Sequence, residues 1–526
     1  MWFRFRSLPF LSLRISSFLT FSSLSLSLPS SLYPLPSTQA VNTNTAAMNE
    51  KSITEDPSYL DQSDPPGDLK VDGVTPEDQI VYEEGIQKFS RLGWKRLTVV
   101  LIVEAIALGT LSIPSAFAKL GMIAGVICTV GIGAIAIYTS YLVGQVKLAF
   151  PAVTNYADAG GLMFGRVGYE VVYVMLFLQL ILLTGSHCLT GTIAWFDITE
   201  SSICAIIFAV VSAIILFLLA VPPSFTEMAI LGYVDFVSIL AAVLITLIGT
   251  GIKASNADGG FASVDWSAWP QPDLTFTDGF IAITNIVFAY SFAMCQFSFM
   301  DEMHTPHEYV KSIWALGLTE IVIYTVTGAA GYAFIGQSVQ SPALTSAGDL
   351  LSRVAYGIAL PVIFISGSIN TVVASRLLHG RIFQNSPIRF VNTPMGWITW
   401  ILIVAAGTVV AFILAEVIPF FSDLLSLSSS LFISGFTFYF PALMWFLLLR
   451  DGDWTSPKNL ALAAVNAVIF LIGLIVLGAG AYASINDIVS FSLSLSLSLS
   501  LFIPDQTLTV TAHSVQLGNR GRSVFV

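Results

Sequence analysis

One apolar stretch of the chain is long enough to cross a bilayer but contains residues that disfavour a regular helix. It covers residues 97–118, and a helix needs roughly 20 apolar residues to span the hydrocarbon core. Near its middle, Gly109 costs about 1 kcal/mol relative to alanine in a helix interior. Pro114 removes a backbone donor and clashes with the preceding turn, while Thr110 and Ser112 offer the backbone competing hydrogen bonds. The stretch therefore predicts an interrupted transmembrane helix.

An interruption at this depth in turn predicts a binding site. Unpaired amide and carbonyl groups are costly in hydrocarbon, so a break persists only where it faces protein or water. In membrane proteins the ends of two such half-helices commonly form a binding site. The residues from Glu104 to Pro114 are therefore the first candidate. The alternative is a kinked but continuous helix that is well packed.

Composition places the chain among polytopic membrane proteins. Of its 526 residues, 55% are hydrophobic and only 10% are charged, whereas soluble domains carry about 25% charged residues. Its cysteines lie in apolar runs without a CxxC pair, which argues against a disulfide framework or a zinc site and for a packing role. They are Cys128, Cys188, Cys204 and Cys295. We expect no metal, no cofactor and no nucleic acid partner.

The two ends of the chain differ from the part between them. Residues 1–47 are basic, serine-rich and free of acids, which suits either a transit peptide or translated upstream sequence ahead of a start at Met48; we favour the latter. Residues 48–90 are acidic and contain several prolines, which predicts a disordered cytosolic tail. Residues 488–526 begin with a serine/leucine alternation and are interpreted as a low-complexity extension. A transmembrane domain is thus predicted for residues 91–487.

Hydropathy divides this domain into about eleven spans. Their predicted limits are 97–118, 122–149, 170–195, 202–221, 228–252, 279–300, 312–336, 349–375, 396–415, 417–449 and 459–485. Most lysines and arginines fall in segments that are cytosolic if the N-terminus is inside. This asymmetry predicts a cytosolic N-terminus.

The sixth span contains a second interruption, from Phe288 to Gln296, which lacks both glycine and proline. The first and sixth spans each begin a unit of five helices. Because five helices reverse the direction of the next unit, two such units form an inverted repeat. We therefore predict an all-α fold with discontinuous helices 1 and 6 at a common membrane depth, and an eleventh helix outside the repeat.

Several motifs support this arrangement. They are Gly93–Thr98 leading into Glu104–Pro114, Ile137–Tyr141, Tyr156–Gly160, Gly185–Thr192, and Asp301–Met303 followed by Pro306. Over residues 90–485 the chain resembles the fungal neutral amino acid permeases, which belong to the amino acid/auxin permease family. The resemblance implies a LeuT-like fold and proton-driven uptake of amino acids.

An amino acid needs donors for its carboxylate, acceptors for its ammonium group and a pocket for its side chain. Free amides at Gly109–Ser112 would supply the donors, and carbonyl groups at both interruptions would supply the acceptors. The core of span six carries no charge from Phe280 to Met300, which favours neutral substrates. The predicted substrate-binding residues are Ala105, Gly109, Thr110, Leu111, Ser112, Phe288, Tyr290, Ser291 and Phe292.

Four ionisable residues within the spans are candidates for proton coupling: Glu104, His187, Asp235 and Glu320. Buried acids suit this role because desolvation favours the neutral carboxyl form. Glu104 is preferred because it precedes the first interruption by about one turn, whereas the other acids can equally be structural and His187 can be a neutral, packed histidine. Ser366 and Asn370 could face a coupling ion or act as polar contacts between helices. No sodium site is evident.

These features predict a secondary active transporter that imports neutral aliphatic and aromatic amino acids by proton (or sodium) symport. A vacuolar exporter or a non-transporting amino acid sensor on the same fold is the alternative, and the plasma membrane is favoured over the vacuolar membrane. An enzyme is disfavoured because the run Gly131–Ala136, which resembles a dinucleotide fingerprint, lies inside a span. A channel is disfavoured because no ring of like groups or repeated pore loop is present.

Overall fold

The computed structural model describes residues 93–200, 203–223, 225–384, 386–391, 393–418 and 420–490. The predictions for residues 1–47 and 48–90 fall outside the described residues, as does the side chain of Glu104. Of the predicted extension 488–526, only residues 488–490 are described, and they end the last helix. Helices form all the regular secondary structure within the described part. The predicted all-α architecture is therefore confirmed.

The described helices follow one another along the chain. They are α1 (Trp94–Leu120), α2 (Met122–Ala149), α3 (Tyr156–Thr199), α4 (Ala205–Leu219), α5 (Phe225–Asn256), α6 (Phe276–Asp301), α7 (Tyr309–Ile335), α8 (Asp349–Ile382), α9 (Pro394–Val417), α10 (Phe421–Leu449) and α11 (Pro457–Ser490). Nine helices of the described part are long and apolar enough to cross a membrane, and α4 is a shorter apolar helix of 15 residues. The number of eleven spans stays a prediction.

The predicted break in α1 is wrong, because α1 is a continuous helix of 27 residues that includes Pro114. The hydroxyl group of Thr110 donates to the carbonyl oxygen of Ile106 at 2.5 Å, and that of Ser112 donates to the carbonyl of Gly109 at 2.9 Å. These hydroxyls bond to carbonyls of their own helix without displacing its backbone hydrogen bonds. Serine and threonine side chains of this kind let a membrane helix tolerate proline.

Gly109 serves close packing instead of a break. A Cβ atom at this position would lie 2.7 Å from the Cα atom of Ala289 in α6. Real Cβ contacts are not that short, so α1 and α6 approach each other here only because residue 109 has no side chain. Sequence reasoning assigned this glycine to helix breaking, whereas its function in the fold is contact between helices.

The predicted interruption of α6 is confirmed. The first half-helix, α6a, covers Phe276–Ala289 and ends at Tyr290, whose φ and ψ of −100° and 42° are not helical. A 3₁₀ turn follows at Phe292–Cys295, and the second half-helix, α6b, covers Gln296–Asp301. Five helices precede α6, as the predicted inverted repeat requires.

Two other helices deviate from their predicted limits. The third span was predicted at 170–195, but α3 begins at Tyr156 and bends at Phe164 and Gly165, where the backbone is not helical. The overlong tenth span, predicted at 417–449, begins only at Phe421, because α9 continues to Val417. Further along α10, the helix widens into π-helical turns between Ser429 and Tyr439, a feature that is frequent at functional sites.

Helix α1 occupies the centre of the bundle. It contacts α5, α6a, α7 and α8, and Leu101, Ile106 and Ile113 on it are each at most 1% exposed. By contrast, large apolar side chains on α4, α5 and α9 are exposed in the structure, as suits helices that face lipid. The α6 interruption therefore lies against the innermost helix.

Candidate functional site

The interruption of α6 meets α1 at the Gly109–Ala289 contact, and Tyr324 of α7 joins the two helices there. Its hydroxyl oxygen lies 2.9 Å from the carbonyl oxygen of Ala105 in α1 and 3.0 Å from the carbonyl oxygen of Ala289. Tyr324 is fully buried. Two backbone carbonyl groups from different helices thus converge on one hydroxyl group at the end of α6a.

Aromatic and hydroxyl side chains surround the next residue of the interruption. The rings of Tyr290 and Tyr324 pack edge to face with their centroids 5.1 Å apart. The Thr437 hydroxyl of α10 donates to the Tyr290 carbonyl at 3.3 Å. On the opposite side, a Cβ atom on Gly133 of α2 would lie 2.9 Å from the Tyr290 hydroxyl. Helices α2, α7 and α10 therefore hold the break in place.

The structure brings together only part of the predicted substrate site. Ala105, Gly109 and Tyr290 meet through the contacts above, and Phe288, Ser291 and Phe292 are buried beside them, with 3%, 4% and 0% exposure. Thr110 and Leu111 instead line a small cavity towards α5 and α7, and Ser112 bonds within α1. Because α1 is continuous, the Gly109–Ser112 amides belong to its helix and do not form the predicted carboxylate cradle.

His187 lies in the interface between α3 and α8. Its Nε2 atom is 3.5 Å from the Ser366 hydroxyl. A Cβ atom on Gly367 would lie 2.7 Å from the Cβ atom of His187. The Asn370 amide group donates to the carbonyl of Ser366 at 3.2 Å. These contacts place His187, Ser366 and Asn370 at one helix interface, where all three make packing contacts.

Two of the acids predicted for proton coupling, Asp235 and Glu320, have described side chains, and they occupy different positions. Glu320 is fully buried one turn before Tyr324 on α7, within range of an electrostatic interaction with Tyr290. Asp235 is fully buried on α5, and neither of its carboxyl oxygens has a hydrogen-bond partner within the described residues. One turn further along α5, the Ser238 hydroxyl donates to the carbonyl of Ile358 in α8. Of these two acids, Glu320 is therefore the one placed beside the interruption.

Ion pairs fix the far end of α6b. The Lys147 ammonium group of α2 is 2.8 Å from the Asp301 carboxylate and also donates to the carbonyls of Pro151 and Val153 at 2.8 and 2.6 Å. The Glu302 carboxylate, next in the chain, pairs with Arg376 of α8. The Glu302 side chain is 1% exposed and that of Arg376 is 25% exposed, so the carboxylate of this pair is buried.

The opposite end of the bundle contains an open cleft. Its empty volume is about 1130 Å³, including space open to solvent. It is lined by α1, α3, α6a, the segment 339–345 and the start of α10. Asn285 and Ala282, which precede the interruption by five and eight residues, lie on its wall. The bundle is thus accessible from the end where α6a begins, while ion pairs hold the end where α6b stops.

Sequence reasoning missed Tyr324, Thr437 and Lys147. The partners of Tyr324 are backbone atoms 219 and 35 residues away, and no local pattern reveals such a contact. A weak signal existed, since Tyr324 follows Glu320 by four residues and therefore shares its helix face.

Comparisons with known proteins agree with this architecture. The family described as transmembrane amino acid transporter protein matches residues 90–486. A Neurospora crassa protein named "N amino acid transport system protein" is 62% identical over 409 residues, which cover 77% of this chain and 87% of that protein. A Gibberella moniliformis protein named "Transmembrane transporter" is 29% identical over 412 residues, or 77% and 86% of the two chains.

Two solved transporter structures are also similar. One is Mhp1, a nucleobase-cation-symport-1 family transporter with bromovinylhydantoin bound, with a TM-score of 0.46 and 15% identity over 78% of this chain and 94% of that chain. The other is MhsT in complex with L-phenylalanine, with a TM-score of 0.49 and 13% identity over 73% and 98%. The family match and the Neurospora relative show that this chain is a membrane transporter rather than an enzyme, and that it belongs to the transmembrane amino acid transporter protein family.

Proposed function

We propose that this protein imports neutral amino acids, both aliphatic and aromatic, by proton symport through alternating access. Residues 91–487 form the transport domain in this proposal, which the extent of the family match supports. The name of the Neurospora relative supports an amino acid substrate. The plasma membrane and a cytosolic N-terminus are the proposed location and orientation, the latter because lysine and arginine cluster in the segments that would be cytosolic.

The observation that carries the proposal is the Tyr324 hydroxyl between the carbonyls of Ala105 and Ala289. A hydroxyl group has one proton, so it donates fully to only one carbonyl at a time. The Ala105 carbonyl also accepts an amide hydrogen bond within continuous α1, whereas the Ala289 carbonyl lies in the last turn of α6a, where carbonyls have no partner within the helix. When the hydroxyl donates to Ala105, the Ala289 carbonyl is therefore suited to accept a hydrogen bond from the ammonium group of an amino acid, in a buried setting where such charge-assisted bonds are strong.

The substrate carboxylate requires a different donor set from the predicted one, because α1 is not broken. The turn that begins at Ser291 and Phe292 starts a new helical segment, and the first amides of a helix have no partner within that helix. These amides and the Ser291 hydroxyl are the proposed carboxylate donors. The side chain would contact Phe288, Tyr290 and Phe292, and the absence of charge between Phe280 and Met300 favours neutral substrates.

Proton coupling is proposed to reside on Glu104, with His187, Asp235 and Glu320 as the other candidates and Ser366 and Asn370 as the face for a coupling ion. A zwitterion moving with one proton carries one net charge. A membrane potential of 100 mV then supplies about 2.3 kcal/mol, and one pH unit supplies about 1.4 kcal/mol. Together these support roughly 500-fold accumulation.

A substrate panel tests the proposed specificity. Purified protein in proteoliposomes would be assayed for uptake of labelled phenylalanine, leucine, lysine and glutamate. We expect saturable uptake of phenylalanine and leucine and little uptake of the charged pair. Preference for lysine or glutamate would contradict the neutral specificity. Saturable binding of phenylalanine without any movement across the membrane would instead favour a sensor.

A further inference from the structure

The floor of the open cleft, formed by Asn285, Ser422 and Asp423, is polar. Asn285 of α6a lines the cleft and is only 1% exposed. Its amide nitrogen donates to the Ser422 hydroxyl at 2.6 Å, but its Oδ1 atom has no hydrogen-bond partner within the described residues. A buried acceptor without a donor is unfavourable, so this oxygen is suited to receive a donor from a ligand.

The charged residues that line the cleft favour a cation. Three carboxylates, from Asp197, Asp278 and Asp423, and one ammonium group, from Lys119, line the cleft. Lys119 is 3.2 Å from Asp278, and the two side chains are 52% and 32% exposed, so they form a pair near solvent. The carboxylate of Asp423 is 2% exposed and follows Ser422, the partner of Asn285, directly in the chain. The floor of the cleft therefore combines a buried acid with a buried amide oxygen.

The floor also lies close to the candidate substrate site. Asn285 precedes Ala289 by four residues, which is about 6 Å along a helix. On α1, Ser115 lines the cleft six residues after Gly109, a rise of about 9 Å. A small molecule that rests on the floor is thus only one to two helical turns from the interruption of α6.

We propose that the floor of this cleft, formed by Asp423, Asn285 and Ser422, is a second binding site that takes the primary ammonium group of an amino acid before it enters the central site. The ammonium group would donate to the Asp423 carboxylate and to the Asn285 Oδ1 atom. The nature of the ligand rests on the proposed function, whereas the preference for a cationic group rests on the cleft alone.

The test uses phenethylamine, which has the ammonium group and ring of phenylalanine but no carboxylate. Binding of the labelled amine would be measured on full-length protein in nanodiscs, for the wild type, Asp423→Asn and Asp258→Asn. Asp258 is exposed outside the cleft, so its variant makes the same change of charge away from the site. We expect Asp423→Asn to weaken binding by about ten-fold or more and Asp258→Asn to leave it unchanged.

Two results would overturn the assignment. One is equal binding of the amine by the wild type and Asp423→Asn. The other is full displacement of the amine when sodium chloride replaces choline chloride, because the floor would then be a site for an inorganic cation. If phenylalanine is not transported but the amine still binds in an Asp423-dependent way, the proposed function fails and the second site stands.

A second measurement avoids substitution of the buried acid. Ser341, which lines the cleft, would be changed to cysteine in a chain whose four native cysteines are replaced by serine. Thiol reagents of similar size that carry either a trimethylammonium or a sulfonate group would then be compared. We expect the cationic reagent to react faster at Ser341→Cys, phenethylamine to slow it, and exposed Ser263→Cys, outside the cleft, to show neither effect. Equal rates for both reagents at Ser341→Cys would contradict the proposal.

Discussion

At the scale of single residues, Tyr324 determines how the two central helices meet. Its hydroxyl group is the shared partner of carbonyls in α1 and α6a, and its ring packs against Tyr290. The hydroxyl can therefore be removed while the aromatic packing is kept. That separation makes Tyr324 the most informative side chain in the candidate site.

We predict that Tyr324→Phe weakens substrate binding more than it affects folding. Loss of the hydroxyl leaves the buried Ala289 carbonyl without its donor, at a cost of about 1–3 kcal/mol, and the contact between α1 and α6a loses its fixed geometry. The KM for phenylalanine uptake should rise by about ten-fold or more. Tyr332→Phe is the matched control, because Tyr332 is buried on the same helix but its hydroxyl contacts the loop residue Ser267. An equal effect of both variants would remove the assigned role.

A second prediction concerns the contact between Gly109 and Ala289. In Gly109→Ala, the new Cβ atom would approach the backbone of α6a to 2.7 Å, so the half-helix must shift. Overpacking of this kind costs about 1–3 kcal/mol, and we expect uptake to fall by at least about ten-fold. Gly131→Ala controls for the added methyl group, since its Cβ atom would meet nothing within 4 Å. Normal uptake kinetics in Gly109→Ala would contradict the placement of the site.

The roles of Gly109 and Tyr324 in the fold could not be predicted from the sequence. Gly109 was predicted to be a helix breaker but is a packing residue in α1, because composition does not distinguish the two uses of glycine. Tyr324 was not predicted, because its partners are main-chain atoms of distant helices. Contacts between side chains and backbone depend on packing that a local pattern does not encode.

At the scale of helices, the short α6b is held by ion pairs at its far end. Asp301 pairs with Lys147 and Glu302 with Arg376, so α6b cannot move away from α2 and α8 while both pairs persist. In an alternating-access cycle, opening at this end requires these pairs to break. Removal of one partner from a buried pair is strongly unfavourable, by about 3–5 kcal/mol.

We predict that Glu302→Gln shifts the protein towards the state that is open at the α6b end. The readout is alkylation of Cys295, which is 1% exposed in the 3₁₀ turn before α6b, in a chain without the other three cysteines. Labelling should accelerate by about ten-fold. Glu308→Gln is the control, because Glu308 forms a solvent-exposed pair with Lys311, and such pairs contribute about 0–1 kcal/mol. Unchanged labelling in Glu302→Gln would show that the pair does not hold this end closed.

The two predicted helix interruptions show why helix breaks are difficult to predict from sequence. α6 is interrupted although it has neither glycine nor proline there, while α1 is continuous although it contains both. Tyr324 and Thr437 lie outside α6 in the sequence, yet their hydroxyl groups donate to the carbonyls at its break. Tertiary partners, rather than local propensity, decide where the helix ends.

At the scale of the whole molecule, the structure is open at one end and closed at the other. The cleft extends towards the interruption of α6 from the α6a end, and two partly buried ion pairs hold the α6b end. Hydropathy, the position of the second interruption and the family motifs predicted the all-α fold, because these signals extend over long segments of the sequence. The cleft and the ion pairs were not predicted, since they depend on contacts between segments more than 70 residues apart.

Coupling is a property of the whole molecule, and the proposed proton carrier can be tested directly. We predict that Glu104→Gln reduces the dependence of uptake on external pH, because the amide cannot bind and release a proton. Glu320→Gln, which makes the same change at a buried acid of α7, should retain that dependence. The measurement is the initial rate of phenylalanine uptake between pH 5 and pH 8. Wild-type pH dependence in Glu104→Gln would transfer the role to another candidate.

Proton symport is tested most directly by the accumulation of labelled phenylalanine in proteoliposomes with and without an imposed inward proton gradient. We predict accumulation above equilibrium that requires the gradient and collapses when a protonophore is added. Equilibration to the same level with and without the gradient would contradict proton symport.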